Sequence, residues 1–374
     1  MKVSIDSRTI QPGDYFIPIK GPNFDGRNFI QDALRKGGRL LDVDLHEFTK
    51  KYRKKLNCKV IAITGSAGKT TVKDMLATIL SQKFTVTKTL ENQNNEVGVP
   101  LTLLSADDQT EILIVECGIR KPEDMPILAR LVKPTHVIIT NIGKSHLGLF
   151  KNQKQIAQSK AKLMQKASQW ETEPRIAFLN FNTPYYAVLK KRADSTGFSV
   201  FPFKSERKLD ESMNLCSLVA RHFGLSNEEI QQGLKQYSSS SHRLKTVKQN
   251  GLTLIDDTYN ANPDSVRFAL EYLRQFSGRK ILVIGDMKEL GSEEIQEHAA
   301  LVDDCIDAEL SMVFTLGELA KHIDSDDFLS LHFNNHDQLN GQLKRLLKPG
   351  DVILFKGSRS MKMEDCFTYV RDNC

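Results

Sequence analysis

Apolar positions along this chain follow two different rhythms. In the first 57 residues the apolar runs are short, and turn-forming clusters interrupt them at Pro12-Gly13-Asp14, Gly21-Pro22-Asn23 and Asp25-Gly26. Within that stretch "YFIPI" reads as a strand and "NFIQDALRK" as a helix. From Lys59 onward, strand-length apolar runs alternate with segments whose apolar residues recur at helical spacing. "KVIAITG", "EILIVECG" and "HVIITNIG" are the strands, and "KTTVKDMLATILSQ" is the clearest helix. A serine-rich stretch, "KQYSSSSHRLKTV", marks a linker. Beyond it the alternation resumes with "LTLIDDTYN", "KILVIGDM", "MVFTLG" and "DVILFKG", a second α/β unit. Uniformly apolar strands separated by helices predict an α/β fold whose sheets are mostly parallel and covered on both faces.

Composition narrows the class. With 374 residues, 40% of them hydrophobic and 26% charged, the chain is long enough for two or three domains of ordinary globular type. No run approaches the roughly 18 apolar residues of a membrane span. The start, "MKVSIDSRTIQPGD", lacks the apolar core of a signal peptide, so a cytoplasmic protein is expected. The six cysteines are scattered without C-x-x-C spacing and are expected to be reduced and mostly buried. The net charge of +6 is modest, and no nucleic-acid partner is expected. The single basic cluster, Lys50 to Lys55, reads as the solvated face of a short helix.

The chemistry begins at "VIAITGSAGKTTVKDML". An apolar strand leads into Gly65-Ser66-Ala67-Gly68-Lys69-Thr70-Thr71, and a helix follows directly. The loop is shorter than the G-x-x-x-x-G-K-[ST] pattern, because Ile63 stands where that pattern places its first glycine. Unpaired N–H groups and the dipole of a helix N-terminus still favour an anion there. Lys69 can reach the terminal phosphates, and the Thr70 hydroxyl can bind magnesium. The bland alternative is a chance Gly-Lys-Thr at a strand–helix turn.

A triphosphate site also needs metal ligands near the carboxyl ends of neighbouring strands. Glu116 ends "ILIVE", and His146 follows "HVIITNIG". Singly they read as an edge charge and a structural histidine; as a set with the loop they become candidate magnesium ligands. Lys160, in "IAQSKAKLM", reads by itself as a surface lysine.

Together these residues resemble the Mur ligases, the ATP-dependent amide-forming enzymes of peptidoglycan assembly. That family carries a contracted loop, T-G-[ST]-x-G-K-T-[ST], which Thr64 to Thr71 matches. "SIDSRTIQPGDYFIPIKGPNFDGRNFI", "ENQNNEVGVPLTLL", "DDTYNANPDSV", "VIGDMKELG" and "KGSRSMKMED" follow in the family's order. They are most similar to the branch whose members add D-Ala-D-Ala to a UDP-N-acetylmuramoyl tripeptide.

The resemblance implies three domains: residues 1–57 for the UDP-linked substrate, 58–240 for ATP, and a Rossmann-like unit at 241–374. It implies ATP and two magnesium ions, a monomer, and small-molecule partners only: ATP, the UDP-linked muramoyl peptide and the D-Ala-D-Ala dipeptide. Lys69 and Thr70 match the loop residues that hold ATP and the first magnesium; Glu116 and His146 match ligands of the second. Lys160 falls where the family has a lysine carbamylated by carbon dioxide, and the spacing to Leu163-Met164 favours it over Lys162. Arg243, in His242-Arg243, faces the ATP phosphates, and Tyr259, Asn260 and Asn262 meet the nucleotide when the last domain closes. Asp6, Ser7 and Arg8 match the nucleotide-sugar segment, Asn94 and Asn95 the muramoyl loop, and Arg359 the dipeptide pocket or a helix start. In the implied chemistry, ATP phosphorylates the substrate carboxylate and the amine attacks the acyl phosphate.

The chain also departs from the pattern. Arg27 replaces a usual histidine, Met213-Asn214 replaces a His-Asn pair, and the first and central domains are abbreviated. A paralogue acting on another carboxylate and amine, or an inactive nucleotide-binding scaffold, therefore stands as an alternative.

Overall fold

A computed structural model of the chain describes residues 2–21, 23–145, 147–166, 174–204, 208–239 and 242–374. Three parallel two-residue strands open the fold, β1 (Val3–Ser4), β2 (Tyr15–Phe16) and β3 (Arg39–Leu40), in the order β1-β2-β3. Only the first two residues of "YFIPI" enter the ladder, because Pro18 has no N–H to donate. The expected helix is divided into a 3₁₀ turn, Gly26–Phe29, and a helix, Ile30–Arg35. The buried core of this unit is small, built on Ile10, Phe16 and Ala33. The basic cluster lies on and just after the helix Leu45–Arg53, as its charge pattern predicts. Arg53 is fastened to the next domain, its Nε donating to the Val132 carbonyl at 2.8 Å.

The central sheet runs β4 (Lys59–Thr64), β5 (Val86–Lys88), β6 (Ile112–Glu116), β7 (His136–Ile139), β8 (Arg175–Asn180) and β9 (Phe198–Phe203). Its spatial order is β5-β6-β4-β7-β8-β9, and every pairing is parallel. Strands buried on both faces need a helical layer on each side. Val60 and Ala62 face one core with the helices Gly98–Ser105, Asp124–Val132 and Gln153–Ala161. Ile61 and Ile63 face the other, against Val72, Leu76 and Ile79 of the helix Lys69–Leu80. Each such aliphatic side chain contributes roughly 1.5–3 kcal/mol on burial. The chain leaves β4 in one direction toward β6 and later returns to its other side as β7. The carboxyl end of β4 is thus a topological switch point, where α/β sheets open a crevice.

The C-terminal sheet contains β10 (Lys245–Gln249), β11 (Leu252–Asp257), β12 (Lys280–Gly285), β13 (Leu310–Leu316), β14 (Leu329–Phe333) and β15 (Val352–Lys356). Its order is β10-β11-β15-β12-β13-β14; β10 pairs antiparallel through the Asn250-Gly251 turn, and the remaining pairings are parallel. Helices cover both faces here too, with Pro263–Leu273 on one side and His336–Leu346 and Met363–Asn373 on the other. The serine linker falls between the helix Asn227–Gln236 and β10, with Ser240 and Ser241 outside the described residues. All six cysteines are free thiols, and five are buried.

Candidate active site

The loop after β4 is held by the segment that leaves β7. Asn141 Oδ1 accepts from the Ser66 and Ala67 N–H groups at 3.1 and 2.9 Å. Thr140 Oγ1 donates to the Ala67 carbonyl at 2.6 Å. Gly143 N–H donates to Ser66 Oγ at 2.8 Å, and Ser145 Oγ donates to the Ser66 carbonyl at 2.9 Å. Gly68 caps the following helix with a left-handed φ of 78°, and no neighbouring atom lies within 4 Å of where its Cβ would sit. The loop therefore presents an open, backbone-lined mouth at a helix N-terminus, the arrangement that binds anions.

Two lysines converge behind that mouth. Lys69 Nζ and Lys160 Nζ both donate to the Gly65 carbonyl, each at 3.0 Å. Lys160 is 2% exposed, so its expected surface position gives way to deep burial, on the helix Gln153–Ala161 that also buries Ile156, Ala157 and Ala161. Burial, with the Lys69 charge adding to it, pushes the Lys160 ammonium well below its ordinary range. Burial also lowers Lys69; Glu116 opposes that shift and Arg243 reinforces it.

Glu116, at the end of β6, is 1% exposed rather than a solvated edge charge. Its Oε2 accepts from Thr70 Oγ1 at 2.9 Å, and its Oε1 accepts from Asn94 Nδ2 at 2.8 Å. Lys73 Nζ, itself buried, lies 4.0 Å from the same carboxylate and donates to the Glu91 carbonyl at 3.2 Å. Asn95 does something different from Asn94. Its Oδ1 accepts from the Val97 and Gly98 N–H groups at 3.1 and 2.9 Å, fixing the start of the helix Gly98–Ser105. His146 lies outside the described residues.

The C-terminal domain completes the cleft. The Arg243 guanidinium stacks 4.0 Å from the Tyr259 ring centroid. Its flanking residues His242 and Leu244 both adopt left-handed backbone, with φ of 64° and 50°, a conformation that costs an L-residue about 1–2 kcal/mol. His242 Nδ1 is 3.0 Å from Asp256 Oδ2. Asn262 caps the helix Pro263–Leu273 and donates from Nδ2 to Ser145 Oγ at 2.8 Å, across the domain boundary. The Asn260 carbonyl accepts from Nζ of buried Lys356 at 3.0 Å, and Lys356 also pairs with half-buried Asp257 at 2.5 Å.

One cleft of about 1490 Å³ is lined by Ser66 to Thr71, Asn94, Asn95, Glu116, Arg243, Tyr259, Asn260, Asn262 and Arg359. Gly65 and Lys160 stand behind its wall. Asp6, Ser7 and Arg8 are not on it, although neighbouring Ile5 is. Arg8 instead holds Asp6 at 2.7 Å through a side-chain hydrogen bond, which brings the carboxyl down to about 2. Arg359 is paired with Glu364 at 2.7 Å on the exposed side of the cleft. Sequence reasoning missed Asn141, Thr140, Lys73 and Lys356. The signal for the first two was a polar Thr-Asn pair ending an otherwise apolar strand beside the phosphate loop.

The fold and cleft define an α/β ligase class, with a phosphate loop in one domain and a second α/β unit closing over it. The chain belongs to the Mur ligase family, and it is an ATP-dependent ligase. The family's middle domain matches residues 63–245, its glutamate ligase domain 242–359, and its family catalytic domain 2–91. The chain is 30% identical to the UDP-N-acetylmuramoyl-tripeptide–D-alanyl-D-alanine ligase of Bacillus subtilis, over 97% of this chain and 91% of that protein. The Escherichia coli protein of the same name is 27% identical, over 99% and 94%. Among solved structures, MurF from Acinetobacter baumannii superposes with a TM-score of 0.89 at 26% identity, covering 99% of this chain and 93% of that one. MurF ligase from Thermotoga maritima in complex with ADP gives 0.85 at 25% identity, covering 100% and 97%. The B. subtilis alignment runs over 425 positions against 374 residues here, so this chain lacks internal segments that its relative carries. Among the described residues, no helix is long and apolar enough to cross a membrane.

Proposed function

We propose that this chain joins D-Ala-D-Ala to a UDP-N-acetylmuramoyl tripeptide in the cytoplasm, through an acyl phosphate formed with ATP. The observation that carries the chemistry is the convergence of Lys69 and Lys160 on one carbonyl, beside the Thr70–Glu116 pair and beneath an open loop. Lys69, Arg243 and a helix N-terminus facing one mouth suit a polyphosphate. The full-length likeness to D-Ala-D-Ala-adding relatives supports the choice of substrates.

The donor set fits magnesium. Thr70 Oγ1 and the Glu116 carboxylate are oxygen ligands of the kind a hard cation takes, and His146 would join them. Magnesium would supply charge neutralisation between the carboxylate and the nucleotide. Lys160 fits carbamylation, because its depressed ammonium gives up one proton readily, and the neutral amine then adds to carbon dioxide, forming an N–C bond and releasing a second proton from the nitrogen. The resulting carboxylate would place a negative group beside Lys69 in place of a repelling positive one.

In this scheme Lys69 and Arg243 offset charge as phosphate approaches the substrate carboxylate, and electrostatic positioning supplies most of the acceleration. Tyr259, Asn260 and Asn262 hold the nucleotide from the C-terminal side, and closure keeps water from the acyl phosphate. Asp6, Ser7 and Arg8 address the uridine end, and Arg359 the dipeptide end.

The test is phosphate release from ATP with UDP-muramoyl tripeptide and D-Ala-D-Ala, each omitted in turn. Release that requires both is expected. Release only with other acceptors identifies a paralogue, and none with any pair identifies a scaffold. Lys160→Ala should lose activity and regain part of it with small carboxylates; full unaided activity would remove the carbamate from the scheme.

A further inference from the structure

Between the phosphate loop and the C-terminal domain lies a short strap that follows β7, its described residues being 143–145 and 147–148. Toward its own domain the strap grips the loop through Gly143 N–H and Ser145 Oγ, both on Ser66. Toward the C-terminal domain it makes a second set of bonds. Lys144 N–H donates to Asp264 Oδ2 at 2.9 Å, Gly148 N–H donates to the Glu289 carbonyl at 3.0 Å, and Ser145 Oγ accepts from Asn262 at 2.8 Å. The Ser145 hydroxyl thus touches both domains at once.

The strap is also shaped for this contact. A Cβ on Gly143 would lie 1.9 Å from Asp264 Oδ2, and one on Gly148 would lie 2.9 Å from Gly291 N. A side chain at Gly148 would press on backbone of the other domain and hold the two apart, whereas one at Gly143 would displace the Asp264 carboxylate from the Lys144 N–H.

Charge concentrates at the same place. The Glu297 side chain, on the helix Glu294–Ala299, is only 5% exposed, and its Oε1 takes the Lys144 ammonium. Its Oε2 has no hydrogen-bond partner among the described residues. Glu293 lies 3.7 Å from the same ammonium. A carboxylate this buried needs a cation, and here the cation comes from the opposite domain. Parting the domains would strip Glu297 of that partner, which makes the pair more than a screened surface bridge.

We propose that Lys144 and Glu297 form an interdomain latch that holds the C-terminal domain closed and, through Ser145 and Ser66, sets the phosphate loop in its working shape. Lys144 is a positioning residue in this scheme; it acts through the strap and touches no reacting atom. The activity arm of the test rests on the ligase reading above, whereas the shape arm does not.

The experiment compares Lys144→Met, Glu297→Gln, Lys144→Arg and the exchanged pair Lys144→Glu/Glu297→Lys with the parent chain. Small-angle X-ray scattering with a non-hydrolysable ATP analogue and magnesium reads closure, while kcat, KM for ATP and phosphate released per amide formed read catalysis. The two neutral variants are expected to scatter as more extended particles and to lose about tenfold in kcat, with KM for ATP within about twofold. They should also release extra phosphate per amide, because an open site exposes the acyl phosphate to water. Arginine and the exchanged pair should recover most of both signals. Neutral variants that close and turn over like the parent would overturn the latch, as would an exchanged pair no better than either single change. If no variant or parent ligates but the scattering follows the expected order, the latch stands and the ligase reading falls.

Discussion

The two large sheets of this molecule bury charge at their carboxyl ends in opposite ways. In the C-terminal sheet three carboxylates each have a nitrogen partner at hand. Asp257 pairs with Lys356 at 2.5 Å, Asp286 with Lys288 at 2.8 Å, and Asp256 with the His242 ring at 3.0 Å. In the central sheet, Lys69 and Lys160 share one carbonyl, and neither makes an ion pair among the described residues. Glu116 is engaged by a hydroxyl and an amide, with Lys73 at 4.0 Å. The first end is electrostatically closed and serves the architecture. The second is left unbalanced toward positive charge, and an anion such as a nucleotide phosphate relieves it.

That contrast is broken most sharply by removing one lysine from each end. Lys69→Met takes away a cation whose burial already disfavours its charge, so the protein without nucleotide should be as stable as the parent or slightly more so. Turnover should nonetheless fall by about a thousandfold, or ~4 kcal/mol of transition-state stabilisation. Lys356→Met should do the reverse in stability. It leaves the half-buried Asp257 without its main partner and should cost about 2–3 kcal/mol of folding free energy. Denaturant melts and steady-state rates on both variants decide the matter. A Lys69→Met protein that melts as early as Lys356→Met would erase the distinction.

A double change sharpens the second half. Asp257→Asn with Lys356→Met removes both charges, so the pair should be clearly more stable than Lys356→Met alone, by about 2 kcal/mol. Equal midpoints for single and double variants would mean that Asp257 is already satisfied by Arg243, whose charge also stabilises its ionised form.

How far the sequence discloses this contrast depends on the range of the contact. The loop from Gly65 to Thr71 was legible because strand, glycines, lysine and helix are consecutive. The strands of both sheets were legible because double-sided burial demands unbroken apolar runs such as Ile112 to Val115. Lys160 could be singled out only by resemblance, since nothing local says that a lysine in "QSKAKL" will be 2% exposed. Asn141 on the loop, Lys356 on Asp257 and Asn262 on Ser145 bridge separations of 74, 99 and 117 residues. No periodicity carries such pairings, because they exist only once the sheets are assembled. The two-residue strands β1 and β3 escaped for another reason. Their hydrogen bonds depend on neighbouring turns more than on any apolar pattern.

Acid offers the gentlest way to separate the two sheets. At the amino end of β7, His136 is buried against His222, with Nε2 to Nε2 at 3.2 Å, and its ring lies 4.7 Å from that of Phe223. Burial, with the charges of His222 and Lys59 adding to it, brings His136 down from 6.5 to about 3. Between those values the unfolded chain holds a proton that the folded chain lacks. Stability of the central domain is therefore full above pH 6.5 and is lost as pH falls toward 3, by up to about 1.4 kcal/mol per pH unit. Asp286, in the C-terminal sheet, is lowered by its bonds to Lys288 and to the Ala320 and Leu319 N–H groups, which outweigh its burial. Its contribution is complete above the ordinary aspartate range near 3.8 and is lost only below it. Hydrogen exchange at pH 7, 6 and 5 should thus loosen β7 and its neighbours while β12 stays protected. His136→Phe should flatten the response of the central sheet, and a uniform loss of protection across both sheets would contradict the assignment.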